Sequence, residues 1–493
     1  MGARRPASTV GNGGAEVTSP AVEDDVLVLN GIDVDTGGYL TPGLAVADLA
    51  RALRGNGKPA PGSRELRRRR NGDEAHLGVV YGRNPEDIGS VGWGVVIPPG
   101  VEPAVLEALK PLLRFRQEQA GELFRRLEVR PGESKDDFLA RHGMGPGVAD
   151  PRKVPYYLLV LGSPEQVSFE FQYQLGVSYA VGRLDLDAPE ACAAYAAAVV
   201  GSEHGAGISS APPRVHLFGT RHPGDTPTAL SSSRLVQPLA AELQEGSPAR
   251  VVGADVGDGA TRTRLEELLT GPDAPDVLFT AGHGLGGATV HRDLAGALLC
   301  QDWPGPLTAS GPVSQDHYLA AGHLPGGTPV RPRVVFSFAC YGAGTPRISD
   351  YPGSDPEAGP QLAAEGFTAR LPQRMLGEPA GGALAFVGHV DRAWSCSFLW
   401  KGLAAQVTPF ASTLLALLDG VRLGSAMESL TSRYAEIASE LVLRMHGFRK
   451  YGKVVTDADL VGLWTATHDA RAYVVLGDPA VRAVPQDGGP RQR

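Results

Sequence analysis

The chain has 493 residues, 42 % of them hydrophobic and 20 % charged, with a formal net charge of −8. That make-up belongs to a soluble globular protein long enough for more than one domain. It excludes the basic face of a nucleic-acid binder, and no apolar run approaches the ~20 residues of a membrane span. Four scattered cysteines without a C-x-x-C pair suit a reducing, cytoplasmic setting and leave no short ligand spacing for a metal.

Residues 1–24 are small, polar and rich in Gly, Pro and Ser, a composition that predicts disorder. No apolar stretch follows Arg4 and Arg5, so no secretory signal is read there. DVLVLNGID (25–33) reads as a first strand and its loop, and VADLARALRG as a helix stopped by Gly55. RELRRRR (64–70) reads as a solvated basic loop, with a phosphate-binding patch or a processing site as alternatives. AHLGVVYG reads as a strand, and the apolar spacing of PAVLEALKPLLRFRQEQAGELFRRL predicts one or two helices. Residues 25–150 are thus an N-terminal α/β region of unassigned role.

The apolar run in VPYYLLVLG is of the kind found in buried parallel strands. A loop follows, then a second strand piece ending at Gly182 and Arg183, then the helix PEACAAYAAAVVGSEHG, making a small α/β unit over 151–210. ISSAPPR is a linker. After it come RVHLFGT (strand), SSRLVQPLAAELQEG (helix, serine-capped), ARVVGAD (strand) and TRTRLEELLTG (helix). DVLFTAGHG, RVVFSFACYGAG and GGALAFVGHVDRAW supply further strands. This alternation predicts an α/β protein with a mostly parallel sheet flanked by helices. Two units in tandem are expected rather than one large sheet, the second spanning 213–485, with 486–493 as a tail.

One stretch has two competing readings. Gly282-His283-Gly284-Leu285-Gly286-Gly287 fits the dinucleotide pattern G-x-G-x-x-G, and Asp302 lies at the spacing of a ribose-binding acid. A dinucleotide loop, however, opens a helix at once and begins its domain, whereas two strand–helix units come first here and ATVHRDLAGALLCQDW is a poor helix. The other reading places His283 at a strand end and Cys340 at the end of a second strand, RVVFSFAC. Ligands bind at strand carboxyl ends in open parallel sheets, so thiol and imidazole would share a crevice. The Gly284 and Cys340 amides could there receive a developing oxyanion.

A hydrophobic block ending in His-Gly, followed by one ending in Ala-Cys, resembles the caspase–gingipain clan of cysteine peptidases, on its bacterial gingipain-like or CHAT-like branch. Phe338-Ala339-Cys340-Tyr341-Gly342 keeps Ala, Cys and Gly of the caspase signature Gln-Ala-Cys-x-Gly, with Phe in place of Gln. GGALAFVGHVDRAW is similar to the strand and substrate-side loop after the nucleophile, and AYVVLGDPAVR to the closing LLGDP strand and turn. YYLLVLGSPEQVSF with YAVGRL resembles the non-catalytic first half of gingipain-type enzymes. The resemblance spans about 150–485 and leaves the first ~150 residues unplaced.

The resemblance implies a caspase-like catalytic domain over 213–485 behind a smaller non-catalytic unit. It implies a cofactor-free cysteine endopeptidase with protein or peptide substrates, a regulatory protein partner, and a role in bacterial defence or regulated death. Cys340 would be the nucleophile, His283 the general acid–base, and Gly284 with the Cys340 amide the oxyanion hole; no third acid is required. The specificity pocket would be partly built by FGTRHPGDTPTALSSS, where Asp225 favours a basic and Arg221 an acidic side chain before the cleaved bond. Trp394 would wall a neighbouring subsite. His389 and Cys396 also follow a strand, but in the order Gly-His and with the cysteine off the strand end. A catalytically degenerate interaction scaffold and, more remotely, a nucleotide-binding oxidoreductase are the alternatives.

Overall fold

The computed structural model describes residues 26–27, 31–39, 44–54, 78–205, 211–246, 250–286, 292–308, 311–351, 361–400 and 403–485. The expected disorder of 1–24, the tail 486–493 and the basic run 64–70 lie outside the described residues. Ten strands form one sheet. In chain order they are β1 (Trp93–Ile97), β2 (Phe124–Glu128), β3 (Tyr157–Leu161), β4 (Ala180–Leu184), β5 (Arg214–Gly219), β6 (Val251–Val256), β7 (Val277–Ala281), β8 (Val334–Phe338), β9 (Ala385–His389) and β10 (Tyr473–Gly477). Across the sheet the order is β2-β1-β3-β4-β10-β9-β8-β7-β5-β6.

Every neighbouring pair is parallel except β9 with β10. The fold is therefore α/β, with a mixed, mostly parallel sheet flanked by helices. Every residue of β3, β4, β7, β8 and β9 is buried. That is why these strands read as unbroken apolar runs: helices cover both faces.

The expectation of two tandem sheets is corrected. β10, close to the end of the chain, pairs with β4 on one side and β9 on the other. Residues of the three expected regions therefore share one sheet and one apolar core. The LGDP turn after β10 ties the join. Asp478, with no exposure, accepts hydrogen bonds from Trp93 Nε1 at 2.9 Å and from Arg116 Nε at 2.7 Å. Tyr195 Oη takes the Asp478 N–H at 2.6 Å and donates to the Leu384 carbonyl at 2.8 Å.

Local departures from the sequence reading have local causes. FRRL is not helix: Gly121, at φ 55°, ends the helix Lys110–Ala120, a 3-10 turn follows over Gly121–Leu123, and FRRLE becomes the edge strand β2. Of AHLGVVYG, the described residues hold only a bridge between Val79 and Ala149. Phe169–Leu175 is a helix capped by Ser168 where a loop was expected. After β5 the helical run starts at Thr226, capped by Asp225, and passes through a π-helical turn at Ser231–Val236 into Gln237–Gly246. Helices Glu428–Tyr451 and Asp457–Arg471, unread from sequence, build a second small core with Val46 and Ala50. Among the described residues no helix is long and apolar enough to cross a membrane.

The half that carries the site runs β6-β5-β7-β8-β9. Its first strand, β5, has the second strand on one side and the third on the other. Chain order reverses between β5 and β7, which opens a crevice at their carboxyl ends.

Candidate active site

β7 and β8 pair in parallel with Ala281 opposite Phe338. His283 and Cys340 each follow two residues beyond that last pair, so both leave the sheet at the same edge, side by side. The Gly282 N–H donates to the Phe338 carbonyl at 3.2 Å, which prolongs the ladder to the doorstep of the two side chains. A Cβ on Gly284 would lie 1.8 Å from the Cys340 carbonyl oxygen, so this close approach requires glycine. Leu298 holds Gly284 from the other side in an antiparallel bridge, with Leu299 N donating to His283 O at 3.0 Å. Tyr341 (φ 58°) and Asp391 (φ 65°) have the left-handed backbone that non-glycine residues rarely adopt. They sit at neighbouring strand ends, joined by Tyr341 N–H to Asp391 O at 2.7 Å.

Asp225, from the end of β5, stands behind the imidazole. Its Oδ2 lies 2.8 Å from His283 Nε2 and accepts from Thr228 N at 3.1 Å and Thr228 Oγ1 at 2.5 Å. Its Oδ1 accepts from the Tyr39 hydroxyl at 2.7 Å. Burial alone would raise this carboxyl; His283 and the hydrogen bonds from Thr228 and Tyr39 outweigh it and hold the group well below the usual carboxylate range. Around the His283 ring lie Tyr39, His222 and Trp303, with ring centroids 6.3, 6.3 and 6.1 Å away. Burial and the neighbouring His283 push His222 down to about 4, so at neutral pH it is an uncharged packing partner.

Cys340 is 2 % exposed. Its Sγ accepts the Ala393 N–H at 3.4 Å, from the loop after β9. Burial pushes the thiol up to about 12, so the sulfur is protonated while that loop covers it. Two cavities are lined by sequence neighbours of Cys340, Gly284 and Ala393. One, of about 260 Å³, is lined among others by Asp391, Arg392, Tyr351 and Arg471. The other, of about 500 Å³, is lined by Leu285, Gly286, Tyr341, Arg292 and Phe367. Glu165 and Gly366 line both. In the smaller, Asp391 Oδ2 accepts from Ser349 Oγ at 3.1 Å, while Oδ1 is buried without a hydrogen-bond partner.

The structure thus places His283 and Cys340 at adjacent strand ends, with Asp225 against His283 and Gly284 against the Cys340 carbonyl, and it changes the reading of three expected residues. Asp225 is 2 % exposed with both oxygens engaged, so it cannot receive a substrate cation; its carboxylate faces the His283 ring instead. Trp394 is 6 % exposed and packs 5.2 Å from Tyr351 in the second core. Its backbone is tied to Asp469, so it is a core residue rather than a subsite wall. Arg221 is exposed, lines neither cavity, and is held through its backbone to Gln301 at 2.7 and 2.8 Å.

The rival residues His389 and Cys396 both lie against Asp469, and burial, with Asp469 adding to it, holds the Cys396 thiol well above its usual range. His389 is buried with Nε2 3.3 Å from Asp469 and its ring 4.6 Å from Tyr473, in a network that also binds Ser397. The dinucleotide reading fails because Leu285–Gly286 is a short strand and Asp302 caps Arg262 N at 2.7 Å. Two contacts were illegible in the sequence. Asp225-Thr-Pro-Thr is a recognisable helix start, but nothing local says that the capping carboxylate also meets an imidazole. Tyr39 belongs to no motif.

No protein-family model matches the chain, and no curated protein matches it. Similar solved structures include one described as a protease, with 13 % identity and a TM-score of 0.46 over 79 % of this chain and 78 % of that one. A complex of the pro- and mature domains of RgpB from Porphyromonas gingivalis has 12 % identity and a TM-score of 0.43, covering 80 % of each chain. The Saccharomyces cerevisiae separase–securin complex has 10 % identity and a TM-score of 0.29, covering 66 % of this chain and 16 % of that one.

Proposed function

We propose that this chain is a cysteine endopeptidase in which Cys340 is the nucleophile, His283 the general acid–base and Asp225 the residue that orients His283. The carrying observation is the in-register exit of His283 and Cys340 from adjacent parallel strands, with a buried carboxylate on Nε2 of the imidazole. Because Asp225 accepts at Nε2, Nδ1 is the nitrogen left to take the thiol proton. The thiolate then attacks the peptide carbonyl carbon, and the C–O π pair moves onto oxygen, facing the amides of Gly284 and Cys340. His283 returns its proton to the leaving amine as the C–N bond breaks, leaving a thioester that water hydrolyses with the same imidazole as base.

In the arrangement described, the Ala393 loop lies on the sulfur, so productive binding of a peptide displaces that loop. The smaller cavity is the first candidate for the side chain before the cleaved bond, since Val390, Asp391 and Arg392 line it and Ala393 touches Cys340. With Asp225 occupied elsewhere, Asp391, whose Oδ1 lacks a hydrogen-bond partner, is the group that would select a basic side chain there. A role in bacterial defence or regulated death, with a cytoplasmic protein substrate, is the biological setting consistent with this chemistry.

The test is a mass shift at Cys340 on incubation of the full chain with peptidyl electrophiles carrying Arg, Asp or Leu next to the reactive group. Labelling that disappears in His283→Ala, together with hydrolysis of the matching peptides, is the expected result. A wild-type chain that neither labels nor cleaves is the degenerate scaffold instead.

A further inference from the structure

We infer that the segment Ile32–Tyr39 is a built-in part of this active site and that Tyr39 is a positioning residue for the Asp225–His283 pair; the inference rests on the peptidase reading above. The segment lies far from the dyad in sequence, with Tyr39 186 residues before Asp225, and none of its strands belongs to the ten-stranded sheet. It is nevertheless anchored on both sides of the catalytic loop.

Ile32–Asp33 pairs in parallel with Leu285–Gly286, the two residues that follow the oxyanion-donor position Gly284. The chain then turns back on itself. Asp33 Oδ1 accepts from Asp35 N at 3.0 Å and Thr36 N at 2.9 Å, and Gly37 N donates to Asp33 O at 2.9 Å. This turn brings Tyr39 opposite Ile32 and delivers its hydroxyl to Asp225 Oδ1 at 2.7 Å, with the ring edge-on to His283. Ile32 and Val34 are buried in a cluster with Leu285, Leu299 and Trp303, and Val34 O accepts from Val313 N at 2.9 Å.

Two features separate this arrangement from a removable inhibitory segment. The phenol reaches the carboxylate at the Nε2 side of the imidazole, and not Nδ1, the nitrogen that the peptidase reading assigns to the thiol. The anchoring residues are core, so their removal strips cover from Leu285 and Leu299 rather than opening a cleft. The contribution of Tyr39 is orientational. A carboxylate gripped through Oδ2 by Thr228 and through Oδ1 by Tyr39 cannot rotate, so the imidazole it faces keeps one tautomer and one angle.

The experiment compares the wild-type full chain, Tyr39→Phe and a chain lacking residues 1–45. It measures melting temperature, kcat and KM on a cleaved peptide, and Cys340 labelling by a peptidyl electrophile as a function of pH. Tyr39→Phe is expected to fold normally, to keep KM, and to lose about tenfold in kcat, the scale of one hydrogen bond to a charged group. The acidic limb of its rate profile moves to higher pH, because the Asp225 carboxyl loses one of the hydrogen bonds that hold it below the usual range. A purely structural role would lower the melting temperature without moving that limb; His222, the other ionisable ring against His283, is common to both proteins. The shortened chain is expected to lose labelling. Wild-type rate and pH profile in Tyr39→Phe overturn the inference, as does faster labelling of the shortened chain, which would make the segment an inhibitory pro-sequence. Wild-type protein that no electrophile labels overturns the peptidase reading and this inference with it.

Discussion

Asp225 shows how one side chain carries two duties that pull the same way. As a helix cap it takes the amide and hydroxyl of Thr228, and as a buried anion it faces His283. Replacing it by Asn keeps the cap but turns an amide towards the imidazole, which then favours the wrong tautomer. Asp225→Asn is therefore expected to lower kcat about 10²–10⁴-fold with little change in KM; steady-state kinetics on a cleaved peptide check this. A second prediction concerns His468, 4 % exposed, whose Nδ1 lies 2.8 Å from the Trp464 carbonyl. Burial, with Arg471 adding to it against the opposing Asp350, lowers His468 from 6.5 to about 4. The folded chain then binds fewer protons here than the unfolded chain, so stability is intact above pH ~6.5 and falls as the pH drops towards 4. Urea unfolding at pH 7 and pH 4.5 should show a loss of roughly 2 kcal/mol from this residue, absent in His468→Gln. The strand-end positions of Cys340 and His283 were legible from the apolar runs and flanking glycines. The partners of Asp225, and the cover over the thiol, were not.

At the scale of elements, the join between β4 and β10 depends on a few residues with no tolerance. A Cβ on Gly182 would lie 2.1 Å from the Gly477 carbonyl oxygen, so Gly182→Ala should push the two strands apart and abolish soluble expression or lower the melting temperature by several degrees. Asp478 is the polar counterpart. Its loss leaves the Arg116 guanidinium buried with only Glu203 as its ion-pair partner, at 2.8 Å, and Asp478→Ala should cost about 3 kcal/mol in denaturant unfolding. The LGDP motif was read as a resemblance; its physical task here is to lock Trp93 and Arg116 onto the sheet join. Elements with a single strong period were readable: β3, β7, β8 and β9 are apolar runs because both of their faces are covered. β2 was not, because FRRLE on a sheet edge keeps the polar character of the helix before it.

For the whole molecule the consequence is a single cooperative unit. β10 comes from the end of the chain yet lies between the two parallel halves, so neither half closes its own sheet. Calorimetry of the full chain should give one transition. Residues 211–485 produced alone should aggregate, because one edge of β10 and the core face beneath it are uncovered. A soluble, folded 211–485 with a melting temperature near that of the full chain would contradict this. The expectation of tandem units failed for a topological reason: strand–helix alternation is the same whether two sheets form or one, and only the return of the last strand to the middle distinguishes them.

Composition, apolar runs and turn residues are local properties, and they were enough to establish the α/β class, most of the strands and the placing of Cys340 and His283 at strand ends. Everything that brings other groups to those two residues is long-range. Sheet order puts β7 beside β8, the switch between β5 and β7 puts Asp225 behind the imidazole, and a segment from the start of the chain brings Tyr39 to the same carboxylate. Ala393 reaches the sulfur from a third strand end. No local pattern encodes these contacts, because each is fixed by packing of the whole sheet and not by the residues on either side.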